Sequence, residues 1–142
     1  MNSQKKILLL GGDHLLIPVI KAAHELGCYV ITVDYLPDNI AHTYSDEYQY
    51  ASTIDKEAVW EIARRCEIDG ILTFTDSGVV TAGYVADQLG LPMPGPYESI
   101  QILQNRDYLE NFLLNMVSMC LKQRAISVLS KHGENEMNGN IL

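Results

Sequence analysis

Positive charge and paired cysteines are scarce in this chain. Ten Lys and Arg stand against 18 Asp and Glu among 142 residues, which gives a net charge of −8 and a sequence pI near 4.8. Nucleic acids and anionic membrane surfaces are bound through clustered cations, so this balance argues against either as the main partner. The three cysteines, Cys28, Cys66 and Cys120, are odd in number and form no CxxC spacing. We therefore expect buried free thiols rather than a disulfide or a metal site.

A membrane segment and a leader peptide also find no support in the sequence. No apolar run stands out as long enough to cross a bilayer. The start MNSQKK passes directly into a strand pattern, which is not how a signal peptide begins. These features predict a cytoplasmic protein without a membrane as partner. With 47% hydrophobic and 20% charged residues, the chain has the balance of one globular domain with its own core.

A strand, a glycine turn, a helix and a second strand are predicted between Lys5 and Asp34. The first strand is KKILLLGG, an apolar run typical of a strand buried on both faces. The helix is LLIPVIKAAHELG, whose apolar residues recur every three or four positions, and the second strand is CYVITVD. Parallel strands need such a crossover, which is almost always right-handed.

The alternation of strands and helices continues to Gly90. Further strands are predicted at DEYQYA and GILTF, and further helices at DKEAVWEIARRCEIDG and VVTAGYVADQLG. The stiff turn LPMPGP precedes a helix at YESIQILQ, and NRD separates that helix from YLENFLL. The pattern predicts an α/β fold, a three-layer Rossmann-like domain with a parallel sheet of about four strands.

Four polar clusters follow the predicted strands. In an open parallel sheet, ligands bind beyond the carboxyl ends of the strands. Glycines there let backbone amides approach a ligand, and a helix N-terminus favours an anion. Asp, Thr and Ser are equally typical helix caps, so a purely structural role stays open for them. The clusters are Gly11-Gly12-Asp13-His14, Asp34-Tyr35, Ser52-Thr53 and Thr75-Asp76-Ser77.

Dinucleotide binding and histidine chemistry are both disfavoured. Asp34 lies about 20 residues after the glycines, where a dinucleotide fold places its ribose-binding acid. The third glycine of the GxGxxG fingerprint is absent, however, which argues against NAD. The histidines His14, His24 and His42 are expected to be surface residues rather than catalytic ones.

Several segments, in this order, resemble the N-terminal, pre-ATP-grasp domain of ATP-grasp superfamily ligases, in particular the carbamoyl-phosphate-synthase-like and other carboxylate–amine ligases. They are ILLLGG with a proline-bearing helix after it, VITVDYLPDNIAHTYSDEY, IDGILTFTDSG, VADQLGLPMPG and NRDYLENFL. The resemblance covers residues 5–113. It implies a ligation that uses ATP and Mg²⁺ to form an acyl phosphate, and a small-molecule carboxylate or amine as the substrate of this domain.

The resemblance also implies roles for individual residues. Substrate binding falls on the strand-end residues Gly11, Gly12, Asp34, Thr75, Asp76 and Ser77. Arg106 stands where the family usually has a lysine that reaches nucleotide phosphates, which implies nucleotide binding by Arg106. No catalytic residue and no metal ligand are implied within this chain. The later domains that hold ATP and metal have no counterpart after Leu114, so the chain alone is expected to bind no cofactor and to be inactive.

The family resemblance divides the chain into a pre-ATP-grasp domain, residues 1–113, and an atypical tail, residues 114–142. The tail has no clean period and a polar end, so we expect it to be partly disordered. A frame shifted by one nucleotide after Leu113 permits Thr-Glu-Tyr-Gly-Phe-Asn-Val-Pro for suitably chosen codons. This has the glycine and proline with which the family opens its next domain. We therefore predict that the tail is frame-shifted.

Two alternatives to a ligase domain stay open. The first is a free-standing module that binds a nucleotide or small anion, which tight binding of ATP or NAD by the isolated chain would favour. The second is a non-catalytic oligomerisation domain that forms a homodimer. A monomer mass independent of concentration would argue against the second.

Overall fold

The computed structural model describes the backbone of residues 4–138 and the side chains of residues 4–130. The chain divides into two compact units, Met1–Gln104 and Asn105–Leu142. Two 3-10 turns in the first unit, His14–Leu16 and Ile40–Thr43, follow the first and second strands. The regular elements are β1 (Lys6–Leu10), α1 (Ile17–Glu25), β2 (Tyr29–Asp34), β3 (Glu47–Tyr50), α2 (Lys56–Cys66), β4 (Gly70–Thr73), α3 (Asp76–Leu89) and α4 (Tyr97–Gln104) in the first unit, and α5 (Arg106–Asn138) in the second.

The sheet is parallel, with the strand order β3-β2-β1-β4. Leu8 in β1 lies opposite Ile31 in β2 and Ile71 in β4. The central strand β1 is therefore flanked on both sides, which is why its sequence is almost continuously apolar. The prediction of a three-layer Rossmann-like domain with four parallel strands is confirmed.

The two faces of the sheet carry separate cores because successive side chains of a strand point to opposite faces. Leu8 and Leu10 belong to the core shared with α2 and α3, together with Val59 and Val85. Leu9 belongs to the opposite core, which α1 and the first 3-10 turn cover. Helices cover both faces of the sheet, and the polar clusters lie beyond the carboxyl ends of its strands.

Helix ends match the ends of the predicted helical segments at some positions and differ at others. The Asp55 side chain accepts a hydrogen bond from the Ala58 amide at 3.1 Å and starts α2, and Gly90 ends α3 with a left-handed φ of 64°. Two ends differ. The α2 helix ends on Glu67, a non-glycine residue with φ 54°, and α3 begins at Asp76 rather than at the predicted Val79.

The second unit is one long helix, α5. The sequence predicts that a helical stretch begins at YLENFLL and that the tail after residue 113 has no clean period, and the described backbone is helical to Asn138. The unit boundary lies after Gln104. The domain boundary predicted at residue 113 stays a prediction. The frame shift and partial disorder of residues 114–142 stay predictions, and residues 139–142 lie outside the described part of the chain.

One stretch of α5 corrects an expectation about membranes. The segment Arg106–Ser130 is long and apolar enough to cross a bilayer, and none of it is buried. The statement that the sequence has no such run is therefore wrong by length and composition. These two criteria alone are weak evidence for a membrane span.

The cysteines are free, as predicted, but not all are buried. Cys28 and Cys66 are half-buried, whereas Cys120 is exposed. Burial, reinforced by the nearby Glu47 carboxylate, raises the pKa of the Cys66 thiol. The expectation of buried thiols is thus wrong for Cys120.

Candidate functional site

A cavity of about 310 Å³ opens where β1, β2 and β4 end. The chain order of the strands reverses between β1 and β4, which is where open α/β sheets bind their ligands. Five of the six residues predicted to bind substrate line it, namely Gly11, Gly12, Asp34, Thr75 and Ser77. The sixth, Asp76, is exposed and is not among the lining residues. Tyr35 and Thr53, members of the predicted polar clusters, also line the cavity, as do Leu36 and Asn39, which the sequence analysis does not single out.

A second cavity, of about 250 Å³, lies beside β4, α3 and the LPMPGP turn. Its walls are apolar side chains such as Val79, Ala82 and Met93, with Thr73 as the polar exception. A ligand site needs a few polar groups that converge on it. The strand-end cavity meets this requirement better.

The two glycines after β1 serve different physical purposes. Gly11 has φ 114°, a conformation that favours glycine, and its amide donates to the Val33 carbonyl at 2.8 Å. Gly12 instead lacks room for a side chain. A Cβ there would lie 2.5 Å from His42 Cε1 and 2.7 Å from Asn39 Cβ. The loop after β2 therefore requires a glycine at position 12, whether or not a ligand binds there.

Asp13 and His14 follow the glycines, and their side chains lie in different environments. The Asp13 Oδ1 atom accepts a hydrogen bond from the Leu15 amide at 2.8 Å, so Asp13 caps the 3-10 turn. This agrees with the capping interpretation of the sequence. His14 is exposed.

Asp34 is a nearly buried carboxylate at the end of β2, with 7% of its surface exposed. Its Oδ1 accepts from the Leu36 amide at 3.1 Å and its Oδ2 accepts from Asn39 Nδ2 at 2.9 Å. Both oxygens thus hold the loop that forms one wall of the cavity. Since each carboxylate oxygen has a second acceptor position, Asp34 can still accept a hydrogen bond from a ligand hydroxyl or amine.

The sequence analysis predicts a surface position for His42. In the structure His42 is half-buried and lies directly behind the cavity wall. Its Nδ1 is 2.8 Å from the Thr32 hydroxyl, its Nε2 is 3.1 Å from the Leu36 carbonyl oxygen, and its ring centroid is 4.2 Å from that of Tyr48. Thr32 is fully buried. No local sequence signal identifies this role, because the contacts join His42 to three other segments of the chain.

The N-terminus of α3 forms the opposite side of the cavity. Thr75 occupies the N-cap position, but its side chain makes no capping hydrogen bond. It lies instead 3.2 Å from the Thr73 hydroxyl, which also accepts from the Thr75 amide at 3.2 Å. The first-turn amides of α3 therefore lack a side-chain cap, and such amides favour an anion. The capping interpretation is right about the place of Thr75 and wrong about its side chain.

Arg106 begins α5 in the second unit, and its predicted nucleotide role stays a prediction. Its side chain is 90% exposed, with Nε 3.3 Å from the Glu110 Oε1 atom one turn later. An exposed pair of this kind contributes about 0.5 kcal/mol or less to stability. Among the residues that the structure describes, no three His, Cys, Asp or Glu side chains cluster closely enough to hold a metal ion.

Curated proteins include relatives that are similar to this chain in sequence. A formate-dependent phosphoribosylglycinamide formyltransferase from Synechococcus sp. (strain WH7803) is 31% identical over 102 residues, which are 72% of this chain and 26% of that protein. The protein of the same name from Synechococcus sp. (strain CC9311) is 26% identical over 110 residues, which are 78% of this chain and 28% of that protein. This chain therefore spans about a quarter of the length of the curated relatives it matches. No protein-family model matches the chain.

Solved structures share the fold. Phosphoribosylglycinamide synthetase from Anaerococcus prevotii superposes with a TM-score of 0.69 at 22% identity and covers 77% of this chain and 28% of its own. N5-carboxyaminoimidazole ribonucleotide synthetase from Thermotoga maritima has a TM-score of 0.62 at 24% identity and covers 79% of this chain and 31% of its own. None of these four proteins is a carbamoyl-phosphate synthase, so that finer likeness stays a prediction. The sequence relatives and the shared fold together show that this chain resembles the N-terminal, pre-ATP-grasp domain of ATP-grasp superfamily ligases.

Proposed function

We propose that the first unit is the substrate-side domain of an ATP-grasp carboxylate–amine ligase. The strand-end cavity would hold the substrate that is not the nucleotide. The observation that supports this most directly is the convergence of Gly11, Gly12, Asp34, Thr75 and Ser77 on one cavity at the point where the strand order reverses. Three separate strand ends supply these residues, and no single sequence motif would bring them together.

We further propose that the ligand is a ribose phosphate that carries an amine. The names of the relatives refer to phosphoribosylglycinamide and to a ribonucleotide, both of which contain a phosphorylated ribose. Among the residues whose side chains are described, no Lys or Arg lines the cavity, so backbone amides of the glycine turn and of α3 would bind the phosphate. The Asp34 carboxylate suits a hydroxyl or an ammonium group. Since the chain carries a net charge of −8, binding of an anion should be weak.

ATP and Mg²⁺ would belong to other domains of the complete ligase. When bound there, ATP supplies the phosphoryl group that activates a carboxylate as an acyl phosphate. This chain would bind and orient the second substrate and exclude water from one side of it. We propose that the chain by itself is inactive and needs no cofactor, and that it is cytoplasmic, with neither nucleic acid nor a membrane as partner.

The free-standing module and the homodimer stay as alternative proposals. The first uses the same cavity for an unrelated small anion. The second is supported by exposed apolar side chains at the open edge of the sheet, Leu72 and Phe74. Sedimentation over a wide range of concentrations separates the homodimer from the monomer.

The test is a titration of the ¹⁵N-labelled protein with ribose 5-phosphate, followed by amide chemical shifts. We expect shifts at Gly11, Gly12 and Ser77, and weaker shifts with ribose. Ser77→Asp and Ser77→Asn are a matched pair, because they differ by one charge at the cavity wall. The aspartate should weaken binding about fivefold by repulsion of the phosphate, while the asparagine stays close to the parent. Shifts confined to the amino-terminal edge of the sheet would contradict the proposal.

A further inference from the structure

We infer that His42 is a positioning residue of the cavity, which acts by donating a hydrogen bond from Nε2 to the Leu36 carbonyl. The inference rests on the proposed function in one respect, that the cavity is the substrate site. His42 itself is not among the residues that line the cavity. It acts on Leu36, Asn39 and Gly12, which do line it.

The chemistry of the Leu36 carbonyl determines that His42 Nε2 is a donor. The Leu36 carbonyl oxygen can only accept, so His42 Nε2, 3.1 Å away, must carry a proton. In the neutral ring, Nδ1 is then an acceptor, and the Thr32 hydroxyl 2.8 Å away donates to it. Thr32 in turn has the Ser45 hydroxyl as a neighbour at 2.8 Å, which can donate to it. The Glu47 carbonyl is a second acceptor for both hydroxyls, at 3.4 Å from Thr32 and 3.1 Å from Ser45.

The ring is held on three sides. Thr32, a fully buried residue of β2, anchors Nδ1. Tyr48 in β3 packs against the ring with an interplanar angle of 38°, and Gly12 leaves just enough room on the glycine-turn side. Tyr48 is itself tied to β2, because its hydroxyl donates to the Asp34 carbonyl at 3.0 Å. A ring fixed in this way can define the position of whatever it binds with its remaining nitrogen.

That remaining nitrogen binds the loop that closes the cavity. Residue Leu36 is held at both of its polar backbone groups, at its amide by Asp34 Oδ1 and at its carbonyl by His42 Nε2. Farther along the loop, the Ala41 amide donates to the Gly12 carbonyl at 3.0 Å. Without the His42 bond, the exposed Leu36 keeps the Asp34 bond at its amide, and its carbonyl keeps a longer hydrogen bond, 3.3 Å, from the Asn39 amide of the same loop. The wall formed by Leu36 and Asn39 should then open more often.

Two variants separate the two ring nitrogens. The side chain of His42→Gln places its amide near the position of Nε2 and retains a donor for Leu36. The side chain of His42→Asn places its amide near Nδ1 and retains a partner for Thr32 but not for Leu36. Both lose the ring stacked on Tyr48, so the loss of packing is common to the pair. The difference between them therefore reports on the Leu36 bond.

Hydrogen exchange of the Leu36 and Ala41 amides is the first readout. One hydrogen bond lost from the loop should raise both exchange rates about five- to tenfold in His42→Asn, while His42→Gln stays within about twofold of the parent. Equal rates in the two variants would overturn the inference. If both variants fail to fold, ¹⁵N spectra of the parent imidazole decide, because a neutral ring protonated at Nδ1 instead of Nε2 is incompatible with the donor role.

Affinity for ribose 5-phosphate is the second readout and separates the two proposals. We expect His42→Asn to bind it about fivefold more weakly than the parent and His42→Gln to bind it nearly as well. A parent that binds, with both variants unaffected, would overturn the role of His42 and leave the proposed function standing. A parent that does not bind at all would overturn the proposed function, and the exchange rates would still decide whether His42 positions the loop.

Discussion

Gly12 lies against the imidazole of His42, so closely that a Cβ at residue 12 would come within 2.5 Å of the ring carbon Cε1 and 2.6 Å of Nε2. The glycine turn after β1 and the loop after β2 therefore have complementary shapes. A substitution in the glycine turn should therefore displace the loop, and a substitution in the loop should displace the turn. Either displacement should alter the cavity that the turn and the loop line.

Gly12→Ala should destabilise the fold by about 1–3 kcal/mol, because the new methyl group forces the His42 ring or the loop to move. The measurement is the free energy of unfolding in urea. Gly70→Ala is the matched control, since Gly70 has no neighbour within 4 Å of an added Cβ and no positive φ. A double-mutant cycle combines Gly12→Ala with His42→Ala. The destabilisation caused by Gly12→Ala should be smaller when the His42 ring is absent. Additive costs would show that the two residues do not interfere.

Asp46 should make the stability of the protein sensitive to acid. Burial tends to raise the pKa of Asp46, but hydrogen bonds from the Val30 amide at 2.7 Å and from His24 Nε2 at 2.9 Å outweigh it and lower the pKa. A carboxyl whose pKa is lower in the folded state stabilises the fold above its ordinary value of 3.8 and loses that effect as the pH falls through the folded-state value.

The measurement compares the parent with Asp46→Asn in urea from neutral pH to below pH 3.8. The parent should be the more stable at neutral pH, and the difference should shrink in acid. Asp87→Asn is the control, because the Asp87 side chain makes no hydrogen bond among the described residues and lies exposed near the end of α3. A difference for Asp46→Asn that does not change with pH would contradict the assignment.

The isolated chain should show no ATPase or ligase turnover and should bind ATP with at best millimolar affinity, about 4 kcal/mol. Phosphoryl transfer needs metal ligands and a cationic phosphate cradle. The family resemblance implies one nucleotide-binding cation, Arg106, and within the described residues no three His, Cys, Asp or Glu side chains cluster closely enough to hold a metal ion. Calorimetry with ATP and Mg²⁺ measures this, with Arg106→Ala as the matched variant. Micromolar, Mg²⁺-dependent binding would refute the prediction and favour the nucleotide-binding alternative.

The codons that follow Leu113 should contain, in another frame, the glycine and proline that open the next domain of an ATP-grasp ligase, and ligase coding sequence should continue beyond codon 142. In that case, residues 114–142 were never selected to pack on this domain, and their amides should exchange rapidly. An intact frame that stops after Leu142, with no ligase coding sequence downstream in any frame, would rule the frame shift out. Strong exchange protection throughout residues 122–142 would argue against its structural consequence.

The amino-acid sequence by itself determined the order of the elements and the edge of the sheet at which the site lies. These features depend on local patterns, such as the apolar run of β1, the cap at Asp55 and the glycine at residue 90. The strand-end rule then placed Gly11, Asp34 and Thr75 at one edge without knowledge of any contact. The family likeness followed from the same ordered segments.

Tertiary structure alone decided what the individual side chains do. Both carboxylate oxygens of Asp34 accept hydrogen bonds from the loop that follows it. The Thr75 hydroxyl lies beside that of Thr73 instead of capping α3. Gly12 lacks a side chain where the His42 ring lies. Each of these depends on which polar group or ring lies nearest after the sheet has assembled. A hydrogen bond or a steric contact between distant segments leaves no periodic trace in the chain, whereas helices and strands do, because their repeating geometry spaces apolar residues at regular intervals.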